Sequence, residues 1–396
     1  MDHTFAMRTT NLGHRIPLFD REVYARRRAR AAEAVAVAGL DVLLVTIPEN
    51  IYYLIGLDHF GYFAFHMLVV PAEGESVLVA RRMEHVTIGR DVPDLRFEGY
   101  GDQDDLATHC LQVVMSVVPN AARVGMELSS LYLIPTVAMA IRDHFDTTPV
   151  VDGTEIVTAH RLVQSSVELD VTRQVAAISD AMVSAAIATA GTGVTEREVA
   201  AAAVAAMMEA GGEPPAFWPF VRATSRFNED HTTWTDYPLQ RGDAVFLELS
   251  GSIGRYHAPM GRVLFIGEVP SGSEKVAETC LEAFEAARVE ARGGAKAGDV
   301  YAAWQAVVDA AGLGHYRRHH CGYATGIGFP PSWSGNGVPR ALRPESHAIL
   351  MDGTVLHLMS WMMETGMGDY FVSDPVVIRP DGGERLTSTS QGLTVL

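Results

Sequence analysis

One carboxylate interrupts an apolar strand pattern. Residues 244–249, AVFLEL, are apolar except for Glu248, and they follow the turn signal Gly242-Asp243, so the stretch reads as a buried strand. An acid in such a setting is costly without a partner, and shifted carboxylates concentrate where a reaction uses them. Gly251 and Gly254 mark a turn, and residues 255–266 read as a return strand carrying Tyr256, His257 and Arg262. Upstream, in NEDHTTW, lies His231. Its imidazole titrates near neutrality and suits proton transfer. A carboxylate that attacks or pairs with a cation, beside an imidazole that moves protons, is a hydrolytic pair. The plainer reading of His231 is a loop imidazole in a polar turn with Asn228, Glu229 and Asp230.

Further along, HHCGYATGIGFPPSW carries Tyr323 and Trp333, TVLHLMSWMMETG carries Met359 and Trp361, and YFVSDPVVI carries Asp374. Tyr323, Trp333, Met359 and Trp361 would exclude water and stack on a flat ligand, although core packing accounts equally well for any one of them alone. Trp218-Pro-Phe220 reads as part of an apolar wall. His319 and His320 are adjacent, so on a strand they would point to opposite faces, which favours a structural role over a metal pair. Gly326 and Gly328 allow close approach of backbone to a ligand.

These residues resemble the creatinase and aminopeptidase P family, whose C-terminal "pita-bread" domain carries the active site. Its metallopeptidases read Gly-Asp-x-Val-x-x-Asp-x-Gly on one strand and Gly-Tyr-x-x-Asp-x-Thr-Arg on the return; Gly242-Asp243 and Arg262 fit that frame. In this register the first metal-binding Asp is Glu248 and the second is Pro259, which has no donor. The motif Gly-His-Gly-Ile-Gly-x-x-x-His is matched with Tyr323 at the ligand histidine and Pro330 at the following one. Met359 stands at the ligand Glu-Pro, and Asp374 is the counterpart of the last ligand Glu. Divalent ions at such sites need carboxylate or imidazole donors, so the resemblance keeps the scaffold and removes the metal. No cofactor is expected. His231 occupies the place of the family's active-site histidine, the general acid/base of metal-free creatinase.

Within the family, Glu248-Leu-Ser-Gly, Arg255-Tyr-His-Ala-Pro, Cys321-Gly-Tyr and Pro330-Pro-Ser-Trp are similar to the ectoine hydrolases, metal-free members that open a cyclic amidine. Tyr256-His-Ala-Pro-Met-Gly-Arg262 departs from the Tyr-His-Cys-Pro-Leu-Ser-Arg of that group, and METGMGDYFVSDP lacks its Glu pattern. The resemblance implies a metal-independent hydrolase converting ectoine or 5-hydroxyectoine to N-acetyl-diaminobutyrate. Glu248 and His231 are the expected catalytic residues. Tyr256, His257, Arg262, Tyr323, Trp333, Met359, Trp361 and Asp374 are the expected substrate contacts. Arg262 or His257 would face the carboxylate of a small zwitterionic substrate, with a structural ion pair the equal alternative for Arg262. A creatinase-like amidinohydrolase, a metal-dependent Xaa-Pro peptidase relative and a non-catalytic family member stay open. Family members are usually homodimers, so a homodimer is expected.

The elements that must position these groups fall into two sets. Residues 1–18 read as an arm. Asp20 caps a helix running to about residue 39, with Arg26, Arg27, Arg28 and Arg30 mostly on its wet side. Strands are expected over 41–46, 65–70, 76–80 and 123–128, helices over 105–117 and 131–145, and Val150-Val151 closes the set. This is an α/β layered domain without a glycine-rich phosphate loop. From the junction HRLVQSSVELDV, in which Gln164 takes the place of a family lysine, a long helix runs to about residue 190. A second starts at Thr195 and ends at Gly211-Gly212, and two more cover 273–291 and 299–311. The expected architecture is an N-terminal creatinase-like α/β domain over 1–164 and a C-terminal α+β pita-bread domain over 165–396.

The bounds agree. A chain of 396 residues with 48% hydrophobic content can build two cores. A net charge of −17, from 48 acids against 31 bases, argues against a nucleic-acid partner. Cys110, Cys280 and Cys321 are odd in number and widely spaced, which suggests a reducing cytoplasm without a disulfide framework. Cys321 is expected to be a small buried residue rather than a reactive thiol. The first residues carry no apolar signal-peptide core, and no run of about 18 apolar residues implies a membrane span.

Overall fold

The computed structural model describes residues 17–145, 150–227, 229–335 and 340–396. Most of the expected N-terminal arm, together with Pro149 and Asn228, lies outside them. The chain divides into two compact units, Met1–Arg161 and Leu162–Leu396.

The first unit begins with α1 (Arg21–Val37), β1 (Val42–Val45) and α2 (Pro48–Ile55), followed by β2 (Met67–Pro71), β3 (Val77–Arg81) and α3 (His85–Asp91). It continues with β4 (Arg96–Tyr100), α4 (Leu106–Val117), β5 (Val124–Met126), α5 (Pro135–His144), β6 (Val151–Asp152) and α6 (Thr154–Leu162). Its six strands form one mixed sheet in the order β4-β3-β2-β1-β5-β6. The strands β1, β2 and β3 are apolar along almost their whole length, as strands covered on both faces should be. The helices α2, α3 and α6 are additional to those expected, and two further points differ. The polar strand β4 was not foreseen because its RFEGY sequence lacks an apolar run. Arg27 does not stay on the wet side of α1: it is buried, donates to the Tyr53 carbonyl at 3.1 Å and lies 4.1 Å over the Tyr53 ring. The flat guanidinium finds a ring face and a carbonyl there, so its burial is compensated.

The second unit opens with two packed helices, α7 (Ser166–Thr189) and α8 (Glu196–Glu209). At the start of α7, Glu168 Oε2 accepts from the Ser165 backbone N–H at 2.9 Å, the reciprocal arm of a capping box. Then come β7 (Phe220–Ala223), β8 (Ala244–Leu249), β9 (Ser252–Ile253), β10 (Tyr256–His257) and β11 (Met260–Phe265). The helices α9 (Ser273–Glu290) and α10 (Ala297–Val308) follow, and the chain finishes with β12 (Gly322–Ala324), β13 (Val355–Met362), β14 (Tyr370–Arg379), β15 (Gly382–Arg385) and β16 (Thr394–Val395). The main sheet runs β12-β13-β14-β11-β8-β7, with β15 beside β14 and β16 beside β11.

The expected return strand is broken. Tyr256 pairs with Ile253 across Gly254 and Arg255, whose φ values of 51° and 65° make a tight two-residue turn. Pro259 has no N–H to offer a ladder, and main-sheet pairing starts only at Met260, opposite Leu249. The helix α7 supports this break, with Ser179 Oγ donating to the Ala258 carbonyl at 2.8 Å.

Period-two alternation sorts β13 into two faces. Ser360 takes the hydrogen bond of Trp304 Nε1 from α10, at 2.9 Å, and its carbonyl receives the Cys280 thiol of α9. Leu358, Ser360 and Met362 therefore face the helices, and His357, Met359 and Trp361 face the other way.

Candidate active site

Directly paired residues of neighbouring antiparallel strands project to the same face. The register carries one row across five strands: Phe220, Glu248, Gly261, Ser373 and Met359. The next same-face row holds Arg222, Phe246 and Val263, with the pair Phe371–Trp361 further across. On the other side of the Glu248 row stand His357 and its partner Tyr323. Glu248, Tyr323, Met359 and Trp361 thus share one face. Gly261 belongs in the row because a Cβ there would meet Phe371 Cε1 at 2.2 Å and Ser373 Oγ at 3.0 Å.

Glu248 is 13% exposed. Among the described residues its carboxylate accepts no hydrogen bond, and its neighbour within ion-pair range is His357 Nε2 at 3.7 Å. Burial pushes its pKa up to about 7, against the opposing pull of Arg222 and with the help of Asp230. This carboxylate is accessible, weakly solvated and unengaged.

His357 is fully buried, and burial lowers its pKa to about 3, so it is neutral. Hydrogen-bond direction assigns its tautomer. Trp333 Nε1–H can only donate, and it reaches the Tyr323 hydroxyl at 2.9 Å. The Tyr323 O–H then points to His357 Nδ1, 3.0 Å away. With Nδ1 accepting, the imidazole proton sits on Nε2, which faces Ser373 Oγ at 2.7 Å and Glu248 beyond it. A chain from Trp333 through Tyr323 therefore aims an N–H toward the Glu248 side. Sequence reading missed His357, although the alternation that selects Met359 and Trp361 also selects the residue two positions before Met359.

His231 sits at the rim. It is exposed and in the left-handed region at φ 59°, with its ring stacked 6.4 Å from Phe217 and edge-on 6.2 Å from Phe220, the row neighbour of Glu248. Among the described residues no hydrogen bond joins it to Glu248. Trp333 is buried, 4.8 Å from Phe217. Phe217 and Phe220 build the wall expected of this segment, whereas Trp218 is 51% exposed.

Four expected substrate contacts are engaged elsewhere. Arg262 and Asp374 lie on the opposite face from Glu248, since Arg262 pairs with Leu247 and Asp374 with Leu358. All five guanidinium donors of Arg262 are used, on the carbonyls of Ser390, Gly261, Ser373 and Thr389 and on Asp374 Oδ1 at 2.8 Å. Arg262 is thus the structural ion-pair partner, and the site-facing residue of the SDP stretch is Ser373. Breaking this buried pair with Asp374→Ala is expected to cost about 3–5 kcal/mol, read as a large fall in melting temperature. A substrate-binding Asp374 would instead raise KM at unchanged melting temperature. Tyr256 donates to Glu168 Oε1 at 2.7 Å and so ties β10 to α7. His257 Nε2 accepts from the Ala216 N–H at 2.9 Å, and burial lowers its pKa to about 4, so it carries no positive charge for a carboxylate at neutral pH. Cys321 is buried, which raises its thiol pKa far above the ordinary value. His320 Nδ1 accepts from the Gly322 N–H, in keeping with a structural histidine.

A family model described as Metallopeptidase family M24 matches residues 170–380, and one for the Creatinase/Prolidase N-terminal domain matches residues 27–163. The chain belongs to metallopeptidase family M24. Its architecture is the family's two-domain pita-bread fold. A solved dipeptidase PepE from Mycobacterium ulcerans superposes with a TM-score of 0.81 at 25% identity, covering 95% of this chain and 99% of that one. The ectoine hydrolase of Halomonas elongata is 26% identical over 95% of this chain and 98% of its own length. The probable dipeptidase PepE of Mycobacterium tuberculosis is 28% identical over 96% and 98%.

The family's metal does not fit this donor set. The site row offers Glu248 with Ser373 and Met359, and the second Asp position is Pro259. Counting back from Gly326-Ile327-Gly328 puts Thr325, rather than Tyr323, at the motif histidine, and Thr325 Oγ1 is spent on the Trp333 carbonyl at 3.0 Å. Among the described residues no three His, Cys, Asp or Glu side chains converge as a metal site requires.

Proposed function

We propose that this M24 member is a metal-independent hydrolase that opens a cyclic amidine, with ectoine or 5-hydroxyectoine as substrate and N-acetyl-diaminobutyrate as product. The observation that carries this reading is the unengaged Glu248 carboxylate, set between an aromatic floor and the His357 N–H. A cyclic amidinium is a flat cation with an electrophilic carbon between two nitrogens. Tyr323 and Trp361, half-buried on the Glu248 face, offer apolar surface for its faces, and Glu248 offers the counter-charge. A Glu248 oxygen attacks the amidine carbon and forms a C–O bond. The ring C–N bond breaks, and the departing nitrogen takes a proton from His231 at the rim. Water then attacks the adduct carbon and gives a proton back to His231, the C–O bond to Glu248 breaks to return the carboxylate, and the former amidine carbon is left as an acetyl group on one nitrogen. Neutral His357 gives its Nε2–H to Ser373 Oγ beside Glu248 and takes no part in bond making. The Halomonas elongata relative is named for this reaction, which supports the assignment. The PepE relatives point to peptide cleavage, but a two-metal route lacks its ligands here.

Two outcomes test the class of mechanism. Exhaustive dialysis against EDTA is expected to leave turnover within about two-fold, whereas a two-metal hydrolase would be silenced and then rescued by added Mn²⁺. His231→Ala is expected to lower kcat on the order of 10²-fold. If His231 works on the same step as Glu248, the double variant is little worse than the weaker single one.

A further inference from the structure

Two guanidinium groups reach the Glu248 face without a hydrogen-bonded acid. Arg222 alternates with Phe220 on β7, pairs with Phe246, is 2% exposed and lies 4.2 Å over the Phe246 ring. One of its terminal nitrogens donates to the Glu229 carbonyl, and among the described residues its buried Nε has no partner. Arg318, in the segment ahead of β12, lies 4.6 Å over the Trp361 ring. Among the described residues no hydrogen bond or ion pair engages its guanidinium. The Phe246 and Trp361 ring centroids are 5.3 Å apart with their planes tilted by 54°, so each cation lies over one of two neighbouring rings. Glu248 and Asp230 act on Arg222 through space, but neither is bonded to it.

A buried N–H donor left unmade is costly, and a guanidinium stays charged at any accessible pH. Its natural complement is a planar carboxylate, which accepts two parallel N–H bonds. The spacing suits one small molecule. Same-face rows are two residues apart, about 7 Å along the strands, so an anion over the Phe246–Trp361 floor sits roughly one six-membered ring away from Glu248. We propose that Arg222 and Arg318 form a carboxylate subsite, which selects cyclic amidines that carry an acid group on the ring. This specificity role rests on the function proposed above and replaces the contact once expected of Arg262.

The test compares paired ligands that differ only in the acid. In turnover, the ratio of kcat/KM for ectoine to that for 2-methyl-1,4,5,6-tetrahydropyrimidine, the same ring without its carboxylate, is expected to fall about 10- to 100-fold in Arg318→Gln. Arg222→Lys, which keeps a cation but loses the fork, should lower it in the same direction. Arg318 is half-buried in a loop, so its variant reads the subsite even if the Arg222 variant folds poorly. A second readout needs no turnover: saturation-transfer NMR of benzoate against benzamide on the wild-type protein. Benzoate is expected to bind preferentially, with the preference lost in Arg318→Gln. An unchanged kcat/KM ratio in both variants, or equal saturation of benzoate and benzamide in the wild type, overturns the subsite. Opening of neither ring, with the benzoate preference intact, overturns the proposed reaction but keeps the subsite.

Discussion

Glu248→Gln is expected to lower turnover by at least about 10²-fold while leaving the fold intact. The amide keeps the shape of the carboxylate and removes its charge and nucleophilicity, so the loss reports chemistry rather than packing. The wild-type pH profile should show the same group. Glu248 titrates at about 7 because burial disfavours its charged form, and only the carboxylate attacks, so kcat/KM is expected to rise with pH through a midpoint near 7. Stability runs the other way. The folded pKa of about 7 lies above the ordinary 4.5, so the native state holds a proton that the unfolded chain has released. The contribution is fully present below about 4.5 and is lost as pH rises through about 7. At about 1.4 kcal/mol per pKa unit this amounts to at most about 3–4 kcal/mol. Glu248→Gln should therefore melt above the wild type at pH 8, with the difference shrinking toward pH 4.5. A folded glutamine variant with near wild-type turnover would leave the mechanism without its central group.

His357→Gln is the second large effect. The imidazole is fully buried and bonded at both nitrogens, to the Tyr323 hydroxyl and to Ser373 Oγ. Removing it takes away the positive end of an N–H that lies 3.7 Å from Glu248 while bonded to Ser373 Oγ, and leaves a tyrosine hydroxyl short of an acceptor. The expected result is a fall in kcat of about 10- to 10²-fold, together with an upward shift of the midpoint near pH 7. The shift is the discriminating part, because a merely structural histidine would lower the amount of folded enzyme without moving the titration. Tyr323→Phe should act in the same direction and more weakly, since it frees His357 to adopt the other tautomer. An unmoved pH profile in both variants would remove His357 from the account.

The sequence made Glu248 visible because one charged residue stood in an otherwise apolar strand. It made most helices visible through their caps and length, as with α7 and α8. It hid the faces. Asp374 and Ser373 are adjacent letters, and a one-residue difference in register puts one beside Arg262 and the other beside Glu248. No single strand carries that information, because register is set by pairing between strands distant in the chain. Arg222 was overlooked for a related reason. In FVRA the charged residue looks like an edge-strand solvent contact, and only the pairing with Phe246 shows that its side chain is buried over a ring. The break at Pro259 was foreseeable from its missing N–H, yet the eye joins the apolar letters on either side of it.

The most direct test of the central claim is mass spectrometry of the EDTA-treated protein incubated with ectoine and with 5-hydroxyectoine. Each is expected to gain the mass of one water, ectoine giving N-acetyl-diaminobutyrate, with metal absent, and Glu248→Gln is expected to form neither product. No ring opening of either compound, with cleavage of an Xaa-Pro dipeptide once Mn²⁺ is added, would contradict it.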